Sequence, residues 1–184
     1  MHPPDESEAD WLRRCQAGDE QAFALLLARY RTPVFDFCWR MLRDRAAADD
    51  VAQETFVRAY QHLADYTPGR AAFSSWLFLI ARRQCLDLLR KRNRQATDAH
   101  PAPDALTTRT ARDEAAGHEL AAAIEQAVSE LPEDQRTALL LAEYEGQSTA
   151  DIAAAMDASA KSIESRLYRA RQFLRQRLAA WMKT

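Results

Sequence analysis

The chain has 184 residues, 47% hydrophobic and 28% charged, with only 4 glycines and 7 prolines to interrupt them. So few breakers, with β-branched residues sparse, favour helix over sheet, and the length holds one ordinary domain or two small ones. A net charge of −2 gives no bulk attraction for nucleic acid, so any polyanion contact has to come from how the charge is distributed.

That distribution is uneven. Six cations and one acid between Arg82 and Arg94 give +5, and six cations and one acid between Lys161 and Arg177 give +5 again. The intervening stretch from Asp113 to Glu145 has nine acids and one arginine, −8. Two cationic blocks in an acidic chain suit two separate polyanion contacts, although either block alone fits a solvated helix face equally well. Cys15, Cys38 and Cys85 are odd in number and widely spaced, which argues against a disulfide framework or structural zinc; Cys38 and Cys85 lie in apolar helical patterns and read as core. The histidines lack ligand spacing, no apolar run reaches the length of a membrane span, and the start MHPPDESEAD is no signal peptide. The expectation is a reduced, cytoplasmic, all-α protein without metal or cofactor.

In chain order, Asp19 is placed to cap a helix carrying Phe23, Leu26, Leu27 and Tyr30 on one side. Thr32-Pro33 predicts a restart, with Thr as N-cap and Pro in the first turn of a helix bearing Val34, Phe37, Cys38 and Met41. A third helix over about 46–63 has Val51, Ala52, Thr55, Phe56 and Ala59 inside and Asp49, Asp50, Gln53 and Glu54 outside. A turn at Tyr66–Arg70 precedes a long helix from about Phe73 to Arg92. Residues 95–112, with Pro101 and Pro103, lack helical periodicity and read as a flexible linker. This divides the chain into small helical domains at 1–94 and 113–184. The second reads as helices near 113–130, 132–145, 148–155 and 159–181, with Gly146 ending one and Ser148 and Ser159 capping the last two. A short helix, a turn at Met156-Asp157-Ala158 and a longer basic helix make a helix-turn-helix.

In the last helix Ile163, Leu167, Ala170, Leu174 and Leu178 form a buried stripe, while Ser165, Tyr168, Arg169 and Gln172 share another side. A helix fits the major groove, where an arginine can bond two acceptors of guanine. Lys161, Arg166, Arg171 and Arg175 flank that side and suit phosphate. In the fourth helix, Leu77, Ile80, Ala81 and Leu88 face inward, and Arg83, Arg90 and Arg94 recur on one side. The nearby Tyr60, Tyr66, Phe73, Trp76 and Phe78 beside these cations suit unstacked bases of single-stranded DNA. Phe73 and Phe78 individually read as core, whereas Tyr66 and its turn are the better candidates for exposed contacts. On spacing alone the Asp49/Asp50/Gln53/Glu54 row is a solvated face.

Four segments, DDVAQETFVRAY (49–60), FSSWLFLIARRQCLDLLRKRNR (73–94), LPEDQRTALLLAEYEG (131–146) and IESRLYRARQFLRQRL (163–178), together resemble the extracytoplasmic-function sigma factors of bacterial RNA polymerase. The resemblance runs from about Ala22 to Leu178. It implies a non-enzymatic subunit that binds core polymerase through its clamp and flap regions and directs initiation at promoters of a stress or envelope-response regulon. It implies clamp docking by Asp49, Asp50, Gln53, Glu54 and Phe56, and −10 capture and melting by Tyr66, Arg70, Trp76, Arg82, Arg83 and Arg90. It further implies −35 reading by Lys161, Ser162, Ser165, Arg166, Tyr168, Arg169 and Gln172, and regulation by an anti-sigma partner. Arg83 stands where the family often has Asn, and Glu164 where a basic residue often stands. Both positions face DNA in the family, which leaves the promoter sequence open. About 20 extended linker residues reach near 70 Å at roughly 3.3–3.6 Å each, about two turns of DNA at ~34–36 Å per turn, so one chain can hold both promoter elements.

Two other readings fit the residues without the resemblance: a ligand-sensing helix-turn-helix regulator, and an all-helical protein adaptor with both basic blocks solvated. No nucleophile–base set or metal-ligand set is present to favour an enzyme.

Overall fold

A computed structural model describes residues 7–68, 72–98, 115–143 and 146–181. They form eight α-helices and one 3-10 turn, with no strand among the described residues. The first domain contains α1 (Glu8–Gln16), α2 (Glu20–Leu42), α3 (Arg45–Gln61), the 3-10 turn Leu63–Asp65 and α4 (Phe73–Asp98). The second contains α5 (Ala115–Ser129), α6 (Glu133–Glu143), α7 (Thr149–Ala155) and α8 (Ala160–Arg177).

Helix starts follow local chemistry. Asp19 accepts from the Gln21 and Ala22 amides at 2.9 and 3.3 Å, Asp44 from Ala47 at 3.1 Å, Ser148 from Asp151 at 3.1 Å and Ser159 from Ser162 at 3.2 Å. Gly146 takes φ +60° just past α6, and Asp157 takes φ +48° in the turn between α7 and α8, so both expected turns are present. Helix α1 lies upstream of the first expected helix. Its signal is a capping box: the Asp10 amide donates to the Ser7 hydroxyl at 3.3 Å and the Ser7 amide donates to the Asp10 carboxylate at 3.0 Å.

Two boundaries differ from expectation. Thr32-Pro33 does not restart the chain; α2 runs unbroken through Pro33. Ala22, Leu26, Val34, Phe37, Cys38 and Met41 are all buried, and their spacing keeps one stripe in phase across the proline. Burial along that stripe outweighs the lost amide donor, which costs about 3 kcal/mol in a helix interior. Helix α4, expected to stop near Arg92, continues to Asp98 because Gln95, Ala96 and Thr97 offer no breaker. Residues 99–114, most of the expected linker, lie outside the described residues.

In the first domain α2, α3 and α4 enclose Phe37, Cys38, Met41, Leu77, Phe78 and Cys85, with the Phe37 and Phe78 rings edge-on at 5.4 Å. Thr55, fully buried, donates to the Val51 carbonyl at 2.7 Å and accepts from Gln84 at 3.1 Å, joining α3 to α4. In the second domain, Leu139, Leu140, Ile152, Ile163, Leu167 and Ala170 close α6, α7 and α8 together. Of the expected α8 stripe, Leu174 and Leu178 are only partly buried.

The two domains pack directly on one another and share one apolar cluster. Arg136 of α6 donates to the Met41 carbonyl at 3.1 Å, and the buried Thr137 hydroxyl lies 3.9 Å from the Met41 sulfur. Around this contact, Arg43 meets Glu125 at 2.8 Å, Arg82 meets Asp134 at 2.7 Å, and Ser75 donates to Gln147 at 3.1 Å.

Candidate nucleic-acid interface

Helix α8 sets its polar side by burying its apolar one. With Ile163, Leu167 and Ala170 inside, Lys161, Ser165, Tyr168 and Arg169 are exposed; Tyr168 keeps 65% of its surface in solvent and receives a 3.1 Å hydrogen bond from Gln172. Ser162 is partly buried beside the N-cap. The cations divide into two sets. Arg171 pairs with Glu143 and Arg177 with Glu130, whereas Lys161, Arg169 and Arg175 make no ion pair among the described residues. Arg177 also holds the Glu130 carboxyl below its ordinary range. Arg166 points away from the exposed row, to Asp134 at 3.1 Å. The arrangement leaves Arg169 exposed on the same side as Ser165 and Tyr168, where its guanidinium N–H groups are available as donors.

On α4, Arg83 and Arg90 are exposed, and among the described residues Arg90 pairs with exposed Asp87 at 3.2 Å. Such a pair is worth about 0–1 kcal/mol and gives way readily to a phosphate. Arg82 turns inward to Asp134 and is mostly buried. The aromatic expectation changes here. Tyr66 is buried, 7% exposed, with its ring 5.5 Å from both Phe73 and Trp76, while Gln16 donates to its carbonyl at 2.9 Å and to that of Leu63 at 3.2 Å. Burial raises its phenol above the ordinary range. Tyr66 is therefore part of the core and not an exposed ring, because Phe73 and Trp76 at the start of α4 pack against it. Trp76 is partly buried in the same stack, 5.7 Å from Phe73, and Phe73 and Phe78 are core as expected. Arg70 lies outside the described residues.

On α3, Asp49, Asp50, Gln53 and Glu54 are exposed in a row, with Gln53 bonded to Asp49 at 2.9 Å and Arg58 to Glu54 at 2.7 Å. Phe56 is buried beneath them. Beside this row runs an open apolar groove of about 650 Å³ between α2 and α3, floored by Phe23, Phe35 and Phe56 and edged by exposed Leu27, Val57 and Tyr60. The groove is not among the sequence expectations. Its signal was Val57 and Tyr60, which stand off the buried stripe of α3 and are left in water.

Residues 26–95 match the family described as sigma-70 region 2, and residues 121–174 match sigma-70 region 4. The RNA polymerase sigma-H factor of Pseudomonas aeruginosa is 35% identical over 182 residues, 91% of each chain. The ECF RNA polymerase sigma-E factor of Haemophilus influenzae is 33% identical over 181 residues, 93% of this chain and 95% of that one. This chain belongs to the extracytoplasmic-function sigma factors.

Sigma factors are not enzymes; they direct promoter-specific initiation of transcription, and that is this chain's function. Its region 2 match takes in most of α2 and all of α3, so the acidic row and the groove lie inside it, as do Arg82, Arg83 and Arg90 of α4. Its region 4 match ends inside α8, past Arg169 and Gln172. Two solved structures superpose on the chain across both domains. CnrH in complex with the cytosolic domain of CnrY superposes with a TM-score of 0.73 at 27% identity, over 95% of this chain and 99% of that one. RpoE in complex with the anti-sigma factor NepR from Bartonella quintana gives 0.73 at 25% identity, over 85% and 96%. Among the described residues of this sigma factor no helix is long and apolar enough to cross a membrane, and no group of His, Cys, Asp and Glu is placed to hold a metal ion.

Proposed function

We propose that the three surfaces of this sigma factor divide the work of initiation. Helix α8 enters the major groove of the −35 element, with Arg169 reading base edges, Ser165, Tyr168 and Gln172 beside it, and Lys161, Ser162 and Arg166 toward the backbone. Helix α4 carries the −10 contacts through Arg83, Arg90 and Trp76, joined by Arg82, and the same role is assigned to Arg70 on the resemblance alone. The buried Tyr66 supports that surface from beneath and does not stack on bases. Helix α3 presents Asp49, Asp50, Gln53 and Glu54 to the polymerase clamp, with Phe56 and the groove beside them taking apolar side chains, and the second domain meets the flap. The acidic row repels phosphate, so on electrostatic grounds it belongs to a protein partner. The domains are 1–94 and 113–184, and the joining segment 95–112 begins within the last turn of α4.

The observation that carries this reading is the bare face of α8 (Ser165, Tyr168, Arg169) standing opposite a buried stripe and after a short helix and a left-handed turn at Asp157. It favours DNA over the adaptor reading, because an exposed guanidinium beside hydroxyl-bearing side chains on a groove-sized helix suits base edges and phosphate. An anti-sigma partner is also proposed, because both structural relatives above were solved with a bound partner. Placement in the cytoplasm, and a regulon answering envelope or general stress, complete the proposal.

The test is run-off transcription with core polymerase, the purified chain and a panel of promoters. A transcript that depends on both the chain and the promoter is the expected result. Failure to form a complex with core polymerase would refute the sigma mechanism, and DNA binding alone, as a dimer on a palindrome, would support the regulator instead.

A further inference from the structure

The contact between the domains has an unusual polar content. Asp134 of α6 is forked: one carboxylate oxygen takes Arg82 of α4 at 2.7 Å and the other takes Arg166 of α8 at 3.1 Å. The two arginine side chains are 18% and 25% exposed, so both are withdrawn from solvent, while Asp134 is half exposed. One acid thus neutralises a cation from each of the two basic helices, across both domains at once. The interface is also incompletely satisfied. Arg82 Nε, Arg136 Nε and Gln147 Nε2 are buried at it without a hydrogen-bond partner among the described residues.

The closed packing is also incompatible with work on two promoter elements. Arg82 and Asp134 lie 2.7 Å apart, whereas the elements the two domains would hold lie about two turns of duplex apart, at ~34–36 Å per turn. We infer that Asp134 is an internal latch: it occupies Arg82 and Arg166 in the free protein and must release both before the two domains can engage promoter DNA. This rests on the proposed assignment of α4 and α8 to DNA. Asp134 acts there as a phosphate mimic, since a guanidinium binds carboxylate and phosphate with the same paired N–H donors. Release is driven by whatever holds the domains apart, polymerase or DNA, and by no chemistry of the latch itself. By linkage, a ligand that binds only the open form gains apparent affinity when the closed form is weakened.

The test compares Asp134→Asn with Glu133→Gln in the full chain. The second variant removes the same charge one residue away, from an exposed position, and leaves the fork intact. Two measurements are made on the free protein: affinity for duplex carrying a −35 element, and radius of gyration by small-angle scattering. Asp134→Asn is expected to bind roughly two- to fivefold more tightly, the factor set by a partly exposed ion pair, and to be more expanded; Glu133→Gln is expected to match the parent in size and to gain less. In holoenzyme, where the domains are already apart, Asp134→Asn and the parent should initiate equally. Equal gains from both variants would show a general charge effect and overturn the latch, as would an unchanged radius for Asp134→Asn. If the parent chain fails to support promoter-dependent transcription, the functional assignment fails instead, and the scattering result still decides whether Asp134 holds the domains closed.

Discussion

Arg169→Ala isolates the specificity of α8. The side chain is exposed and has no ion-pair partner among the described residues, while its neighbours Leu167 and Ala170 carry the packing of this turn. Truncation should therefore leave folding within about ±0.5 kcal/mol, the usual range for a surface site without a special role. The loss on DNA is different. A bidentate arginine on guanine is worth about 1–3 kcal/mol of discrimination, which is roughly 5- to 150-fold at 1.4 kcal/mol per decade. The measurement is transcription and binding by holoenzyme carrying the variant, across −35 sequences differing at one base pair and over a range of salt. The expected pattern is a large loss on the preferred sequence, little on the others, and so a flattened preference. A uniform loss on all sequences, with the salt slope reduced by about one, would show a phosphate contact and refute the base-reading role.

Charge reversal of Asp50 and Glu54 to lysine should lower affinity for core polymerase while costing the fold no more than about 1 kcal/mol, the worth of the exposed Glu54–Arg58 pair; unchanged assembly, read by size-exclusion or anisotropy, would move the docking surface elsewhere. Thr55→Val keeps the shape but removes the hydroxyl that accepts from Gln84, so it should destabilise by about 1–3 kcal/mol in urea unfolding. Asp44→Asn tests the acid limb. The Ala47 amide and the Arg92 guanidinium, 2.7 Å away, hold the Asp44 carboxyl below its ordinary value of 3.8. The folded form therefore binds the proton more weakly than the unfolded one, and this contribution is present above pH 3.8 and lost as pH falls through the lower folded value. The variant should unfold less steeply with acid below that point, and an identical acid limb would remove Asp44 from the account. Pro33→Ala restores an amide donor inside α2 and should raise stability by up to about 2 kcal/mol, less what the freer unfolded chain takes back.

Helix positions and the buried sides of α3, α4 and α8 were legible because periodicity and capping act locally: Asp19, Ser148 and Ser159 each cap the helix that they signal. Thr32-Pro33 misled because its local signal for a helix start is strong, and only the phase of Leu26 and Val34 on one stripe, a longer-range property, overrides it. Tyr66 misled for a related reason. A turn tyrosine reads as exposed until the chain on either side is known to fold back over it, and Phe73 and Trp76 do so. The groove and the fork at Asp134 were invisible because they join residues distant in sequence: Phe23 to Val57 in the first case, Arg82 to Asp134 to Arg166 in the second. Asp134 looked like one more member of an acidic stretch.

Gln16 sits in α1, upstream of the region 2 match that begins at residue 26, yet its amide supports the carbonyls of Leu63 and Tyr66. Glu8 from the same helix accepts from the Tyr30 hydroxyl at 2.5 Å. The packed first domain therefore extends beyond the segment that matches the family. A fragment cut at residue 26 would expose the underside of the turn leading into α4, and one beginning before Ser7 would keep it covered. For anyone expressing the first domain alone, α1 is the difference between a truncated motif and a domain.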